Sequence, residues 1–137
     1  MKPLHIFIAT ALIGFAALTA GAAEGPTPAA ATNITHVGAN AAAKLLADQK
    51  VVVIDVRTPG EFSKGCIAGA KLLDISQPDF EEQVAKLDKR QTYLVHCQSG
   101  GRSTRALKTF TKLDFKSVVH LDGGMNAWVK AGQPVQK

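Results

Sequence analysis

Val95-His96-Cys97-Gln98-Ser99-Gly100-Gly101-Arg102-Ser103 decides how the rest of the chain is read. Ahead of it, Thr92-Tyr93-Leu94-Val95 is short, apolar and β-prone, the pattern of a buried strand. Behind it, Ser103 to Phe110 places Ala106, Leu107 and Phe110 at helical spacing. Cys97 therefore stands where a strand gives way to a helix. In an open parallel sheet, ligand sites lie at the carboxyl ends of strands.

The turn between strand and helix is rich in glycine. Gly100 and Gly101 open backbone conformations that other residues avoid. Such a turn can aim several N–H groups inward as an anion-binding nest. The following helix adds the positive end of its dipole. A cysteine at the floor of that bowl would be held as a thiolate. An ordinary thiol, with a pKa of about 8.5, is only about 3% ionised at neutral pH. Lowering that pKa to about 6 needs about 3.4 kcal/mol of differential stabilisation. Two or three charge-assisted N–H bonds, at roughly 1.5–3 kcal/mol each, supply it. Arg102 adds a fixed positive charge at the rim. The alternative is an inert buried cysteine in a turn, which leaves the dense glycines and the closing arginine without a purpose.

The chain has 137 residues, enough for one modest domain, and a formal charge of +5. The charges are scattered rather than clustered, and there is only one Trp and one Tyr. That composition offers no stacking platform for nucleic acid. A mildly basic surface can help attract a small anion. Lys2 and the apolar run Ile6–Leu18, closed by the small residues around Ala20–Ala23, have the form of a signal peptide over residues 1–23. The apolar run is short for a membrane span. Position 22 is Ala, without the cysteine that lipid attachment requires. The expectation is a domain exported to a periplasm or secreted, with no stable membrane association after cleavage.

Residues 24–32 are rich in Pro and Ala and read as a linker. The domain is expected over 33–137. Ile34–Val37 reads as a short edge strand, and Asn40 as the cap of a helix over 41–47. Val51-Val52-Val53-Ile54-Asp55-Val56 is β-branched without alternation, a strand covered on both faces. Pro59 suits the first turn of a short helix. Residues 70–73 read as a short strand and 79–87 as a helix with its acidic residues at the positive end. Val118–Leu121 reads as the last strand, and Met125–Lys130 as a final helix carrying Trp128. Strands alternating with helices imply an α/β protein with a parallel or mostly parallel sheet.

Three ordered motifs now carry a resemblance. The Cys97 loop resembles the active-site loop of the rhodanese (sulfurtransferase) family. Asp55-Val56-Arg57 through Glu61-Phe62 to Gly65-x-Ile67-x-Gly69-Ala70 is similar to that family's first signature. Leu121-x-Gly123-Gly124, with Trp128 and Ala131-Gly132-x-Pro134-Val135, is similar to its closing one. The match runs from about residue 34 to about residue 136. The resemblance implies a three-layer α/β/α fold with a mostly parallel central sheet of about five strands. It also implies a loop cysteine that takes a sulfane sulfur as a persulfide and passes it on. Cysteine-dependent phosphatases share a related loop but resemble Cys-x-x-x-x-x-Arg. Here only Gln98 to Gly101 separate Cys97 from Arg102. The shorter bowl suits a persulfide sulfur better than a tetrahedral phosphate.

In this reading Cys97 is the nucleophile, and the loop residues Gln98, Ser99, Gly100, Gly101, Arg102 and Ser103 form the substrate-binding bowl. The guanidinium of Arg102 either binds an anionic sulfur donor such as thiosulfate or ties the loop to a carboxylate. Asp55 and Arg57 are expected as a supporting ion pair or loop clamp. Arg105 is read as a surface charge. His96 is expected to be packed rather than basic in function, since adjacent strand residues face opposite ways. His36 and His120 read as solitary structural histidines. Two cysteines and four histidines show no metal-ligand spacing, and no cofactor is expected. Cys66 stands where the family usually carries His, and it is read as a packing residue, a second thiol or a disulfide partner. The acceptor of the sulfur would be cyanide, a small thiol or a protein cysteine. A phosphatase or arsenate reductase-like enzyme on the same fold, and a sulfur-carrier module without turnover, are the alternatives.

Overall fold

Val53 and Ile54 point to opposite faces of one strand, and both are buried. A strand alternates its side chains, so this run needs an apolar layer on each side. The computed structural model, which describes residues 30–137, supplies both. The expected signal over 1–23, and residues 24–29 of the expected linker, lie outside the described residues.

The elements follow in the order β1 (Asn33–Val37), α1 (Ala39–Ala47), β2 (Val52–Asp55), α2 (Pro59–Ser63), β3 (Lys71–Leu72), α3 (Phe80–Ala85), β4 (Thr92–His96), α4 (Gly101–Lys112), β5 (Ser117–Leu121) and α5 (Gly124–Lys130). The five strands form one sheet in the order β1-β5-β4-β2-β3. Every strand pairing in it is parallel. The expected α/β class and mostly parallel five-stranded sheet are therefore what the chain forms.

On one face, Ile54, Tyr93, Val95 and Val118 pack against Phe80 and Val84 of α3 and Ala106, Leu107 and Phe110 of α4. On the other, Val53, Leu94 and Val119 pack against Ala39 and Ala42 of α1 and Met125 and Trp128 of α5. The indole of Trp128 donates to the Pro134 carbonyl at 2.8 Å, which anchors the C-terminal segment. α1 starts two residues earlier than the sequence suggested. Gly38 stands at its N-cap, with no side-chain cap, while Asn40 lies inside the helix and accepts from Gln133. α4 likewise begins at Gly101 rather than Ser103, with Gly100 before it at φ 108°.

This order sets up the site. β4 lies between β2 and β5 at the centre of the sheet. Because all five strands run the same way, the residues after β1, β2, β4 and β5 emerge at one edge. That carboxyl edge is where an open parallel sheet holds its ligands.

Candidate active site

Cys97 follows β4 directly and is 1% exposed. Its carbonyl accepts from Met125 N–H at 2.9 Å, and the Gln98 carbonyl accepts from Asn126 N–H at 3.0 Å. The first turn of α5 thus holds the loop from below. Gly124 makes that approach possible: a Cβ there would overlap the Cys97 carbonyl oxygen.

The thiol itself is surrounded by donors. Gly100 N–H lies 3.1 Å from Cys97 Sγ and the Ser103 hydroxyl 3.4 Å. Burial pushes the thiol pKa up, but hydrogen bonds from the Ser103 hydroxyl and from the N–H groups of Ser103, Gly100 and Ser99 outweigh it. The net direction is down. The expected bowl forms around Cys97, with one revision. Gly100 takes a positive φ, but Gly101 is an ordinary helical residue, so only one of the two loop glycines is there for its backbone.

Arg102 resolves to one of its two expected roles. Its two outer nitrogens meet the Glu61 carboxylate at 2.7 and 2.6 Å. Glu61 also closes a capping box on α2, accepting from Thr58 N–H at 3.1 Å. The hydrogen bonds from Arg102, opposed by burial and helped by those from Thr58, hold the Glu61 carboxyl down at about 2. Glu61 belongs to the first signature, yet nothing in its local sequence announces a partner 41 residues away.

Asp55 and Arg57 form the expected clamp. Arg57 Nη2 donates to Asp55 Oδ2 at 2.7 Å, with both side chains buried. Arg57 also donates to the Gly65 carbonyl at 2.8 Å and to Gln98 Oε1 at 3.0 Å. Gln98 in turn donates to Asn126 at 2.7 Å. One guanidinium therefore joins the end of β2, the α2 segment and the Cys97 loop. Buried ion pairs of this kind need such added hydrogen bonds to offset their desolvation.

His96 is fully buried, with Nδ1 3.1 Å from the Cys97 carbonyl oxygen. Burial lowers its pKa, against the opposing pull of Asp55. It is the packed histidine the sequence suggested. His36 and His120, by contrast, are not solitary. They are register partners on β1 and β5. His120 Nε2 lies 2.8 Å from Ser103 Oγ, so it stands one residue behind Cys97. Parallel register is the signal that joins them, and the sequence does not carry it.

Cys66 is a free thiol, as is Cys97. It makes a two-hydrogen-bond bridge to Gln136, 2.8 Å each way. It opens on a cleft lined by Phe62, Ser63, Gly69 and Gln136. A different cavity, about 400 Å³, flanks the Cys97 loop and is lined by Arg57, Glu61, Lys64, Gln98, Met125 and Val129. Arg57 and Glu61 are paired there, whereas Lys64 has no ion-pair partner among the described residues.

A cysteine whose thiol pKa is drawn down by surrounding donors, in a glycine-turned loop on a parallel sheet edge beside a cavity, defines a cysteine-loop α/β protein. The comparison with known proteins narrows that class. The model of the rhodanese-like domain matches residues 38–131. The chain belongs to the rhodanese-like domain family. It is 38% identical over 93 residues to thiosulfate sulfurtransferase 16, a chloroplastic protein of Arabidopsis thaliana, covering 61% of this chain and 78% of that one. It is 36% identical over 91 residues to the putative sulfurtransferase YtwF of Bacillus subtilis, covering 66% and 85%. A probable adenylyltransferase/sulfurtransferase of Mycobacterium tuberculosis, MoeZ, is 41% identical over 86 residues. That match covers 63% of this chain but only 22% of the relative's length. Among solved structures, a rhodanese-related protein from Thermoplasma volcanium superposes with a TM-score of 0.68 at 28% identity, covering 74% of this chain and 97% of that one.

Proposed function

We propose that the protein is a sulfurtransferase that carries sulfur on Cys97. The observation that carries this reading is the convergence of Gly100 N–H and the Ser103 hydroxyl on Cys97 Sγ, at 3.1 and 3.4 Å. Those donors favour an anionic Sγ, both as the attacking thiolate and as the thiolate released when the persulfide is discharged.

The reaction runs as a double displacement. The Cys97 thiolate attacks the outer sulfur of a donor such as thiosulfate, forming a Cys97 S–S bond. The donor's own S–S bond breaks, and sulfite leaves with the electron pair. An acceptor thiolate, or cyanide, then attacks the outer persulfide sulfur. Cys97 departs as the thiolate it began as, so neither half-reaction needs a strong base. Lys64, at the cavity wall, is the cation available to the anionic donor. Arg102 is not, because Glu61 holds both its outer nitrogens. That pairing also weighs against a phosphatase, which would need the arginine for a tetrahedral phosphate. The apolar run before residue 23 supports export to a periplasm or beyond the cell.

The test is the intact mass of the protein after incubation with thiosulfate. Wild type gains one sulfur atom, cyanide removes it, and Cys97→Ser gains none. Sulfur uptake by Cys97→Ser would overturn the assignment of the carrier. No uptake by fully reduced wild type would overturn thiosulfate as donor. Uptake without discharge to cyanide or any thiol would favour the carrier module.

A further inference from the structure

His36, His120 and Asp122 converge at the same sheet edge, and the fold dictates it. His120 and Asp122 are two residues apart at the end of β5, so they project to the same side. Parallel register sets His36 beside His120. The Asp122 N–H donates to the Val37 carbonyl at 2.9 Å, which extends that register to the carboxylate.

Three ligand atoms meet in a near-equilateral triangle. His36 Nδ1 to Asp122 Oδ1 is 3.0 Å, His120 Nδ1 to Asp122 Oδ1 is 2.9 Å, and the two Nδ1 atoms are 3.2 Å apart. Hydrogen bonding cannot satisfy this triangle. Each of its three edges needs a proton, and two neutral imidazoles bring at most two to it. If both Nδ1 atoms are protonated, two N–H groups face each other. If one is bare, its lone pair faces a carboxylate.

We propose that His36 Nδ1, His120 Nδ1 and Asp122 Oδ1 bind a borderline divalent transition-metal ion, Zn²⁺ being the first expectation. A cation accepts all three lone pairs at once. Bonds of about 2.0–2.1 Å place ligand atoms about 2.9 Å apart at octahedral corners and about 3.3 Å apart at tetrahedral ones. The observed edges lie across that interval. Two imidazoles with one carboxylate suit Zn²⁺, Co²⁺, Ni²⁺ or Cu²⁺ rather than Mg²⁺ or Ca²⁺. His120 is preorganised: its side chain is 3% exposed. With Nδ1 on a metal, its Nε2 carries the ring proton toward Ser103 Oγ at 2.8 Å. That is the outer hydrogen bond a metal-bound imidazole ordinarily makes. The His36 and Asp122 side chains are 53% and 57% exposed, which leaves an entry path and room for water as a fourth ligand. The site is separate from the Cys97 thiol, and His120 links the two through its contact with Ser103 Oγ.

The test uses untagged, metal-stripped protein. Titration with Co²⁺ is followed by visible absorption, and with Zn²⁺ by calorimetry. One equivalent is expected, with the same affinity when Cys66 and Cys97 are both changed to Ser. His36→Ala and Asp122→Asn are each expected to weaken binding at least about 100-fold, beyond the loss typical of an outer-shell partner. In wild type, Zn²⁺ shifts the ring signals of His36 and His120 by nuclear magnetic resonance and leaves His96 in place. No binding by wild type would overturn the proposal. So would binding lost with the cysteines, binding unchanged in folded His36→Ala, or ring signals that do not move.

Discussion

Arg102 Nη1 and Nη2 meet the two carboxylate oxygens of Glu61 at 2.7 and 2.6 Å, joining the start of α4 to α2 across 41 residues of chain. The fork of a guanidinium matches the two oxygens of a carboxylate. The residue that ends the Cys97 loop therefore acts as a brace. Its charge is answered within the protein by Glu61.

That brace predicts an acid-dependent contribution to stability. Glu61 is held at about 2 in the folded protein against an ordinary 4.5. A depressed carboxylate stabilises the fold above its unfolded pKa and loses that contribution as pH falls through its folded pKa. The window is thus from about 4.5 down to about 2. The full shift would correspond to at most about 3.4 kcal/mol. The two side chains are 28% and 31% exposed, and solvent screening reduces the expected value to about 1 kcal/mol. Glu61→Gln should lose that amount at neutral pH in urea unfolding. Its stability should also fall less than wild type's across the acid window. Equal acid sensitivity of the two proteins would contradict the pairing.

Under the proposed function, with Arg102 paired to Glu61, Lys64 would be the cation that attracts the donor. Lys64→Met should raise the KM for thiosulfate several-fold while leaving kcat within about twofold, the pattern of lost ground-state and transition-state binding alike. The KM of wild type should rise with ionic strength, and that of Lys64→Met much less. Steady-state kinetics across a salt series checks both. A fall in kcat with KM unchanged would place Lys64 in the chemistry instead.

The sequence shows the fold more fully than the site because their signals have different ranges. Apolar runs such as Val52–Ile54 and the stripe Ala106, Leu107 and Phe110 are local, and each placed its element within a few residues. The loop from Cys97 to Ser103 was legible for the same reason: its donors and its nucleophile are neighbours in the chain. Glu61 with Arg102, and His36 with His120 and Asp122, are joined by strand order and register. No spacing rule along the chain contains that information. Composition points to Asn40 as the cap of α1, whereas the chain turns into the helix at Gly38.

Ser103 makes the clearest prediction about the Cys97 thiol. Its hydroxyl is the foremost donor lowering the Cys97 thiol, against the upward push of burial. A hydrogen bond to a charged group contributes roughly 1.5–3 kcal/mol. Removing it should raise the midpoint of Cys97 alkylation by at least about one pH unit. Below that midpoint, Ser103→Ala should react with iodoacetamide about tenfold more slowly than wild type, and the two should converge at alkaline pH. Rates measured across the pH range in a Cys66→Ser background isolate Cys97. An unmoved midpoint would show that the N–H groups suffice without the hydroxyl.

Two glycines that look alike in sequence should behave oppositely. Gly124 sits at φ 56°, and a Cβ there would overlap the Cys97 carbonyl and crowd Gln98. The left-handed conformation alone costs a non-glycine residue about 1–2 kcal/mol. The overlap adds to this, because the carbonyl is fixed by Met125 N–H at 2.9 Å. Gly124→Ala should therefore lower thermal stability and push the Cys97 loop out of place, with loss of sulfur uptake. Gly101 has helical backbone, and no atom lies within 4 Å of an added Cβ. Alanine is favoured there by up to about 0.5–1 kcal/mol, so Gly101→Ala should be as stable as wild type or more so and keep its uptake. Thermal unfolding together with the mass of sulfur bound from thiosulfate checks both variants. Full uptake by Gly124→Ala would mean that the contact between α5 and the loop does not set the position of the nucleophile.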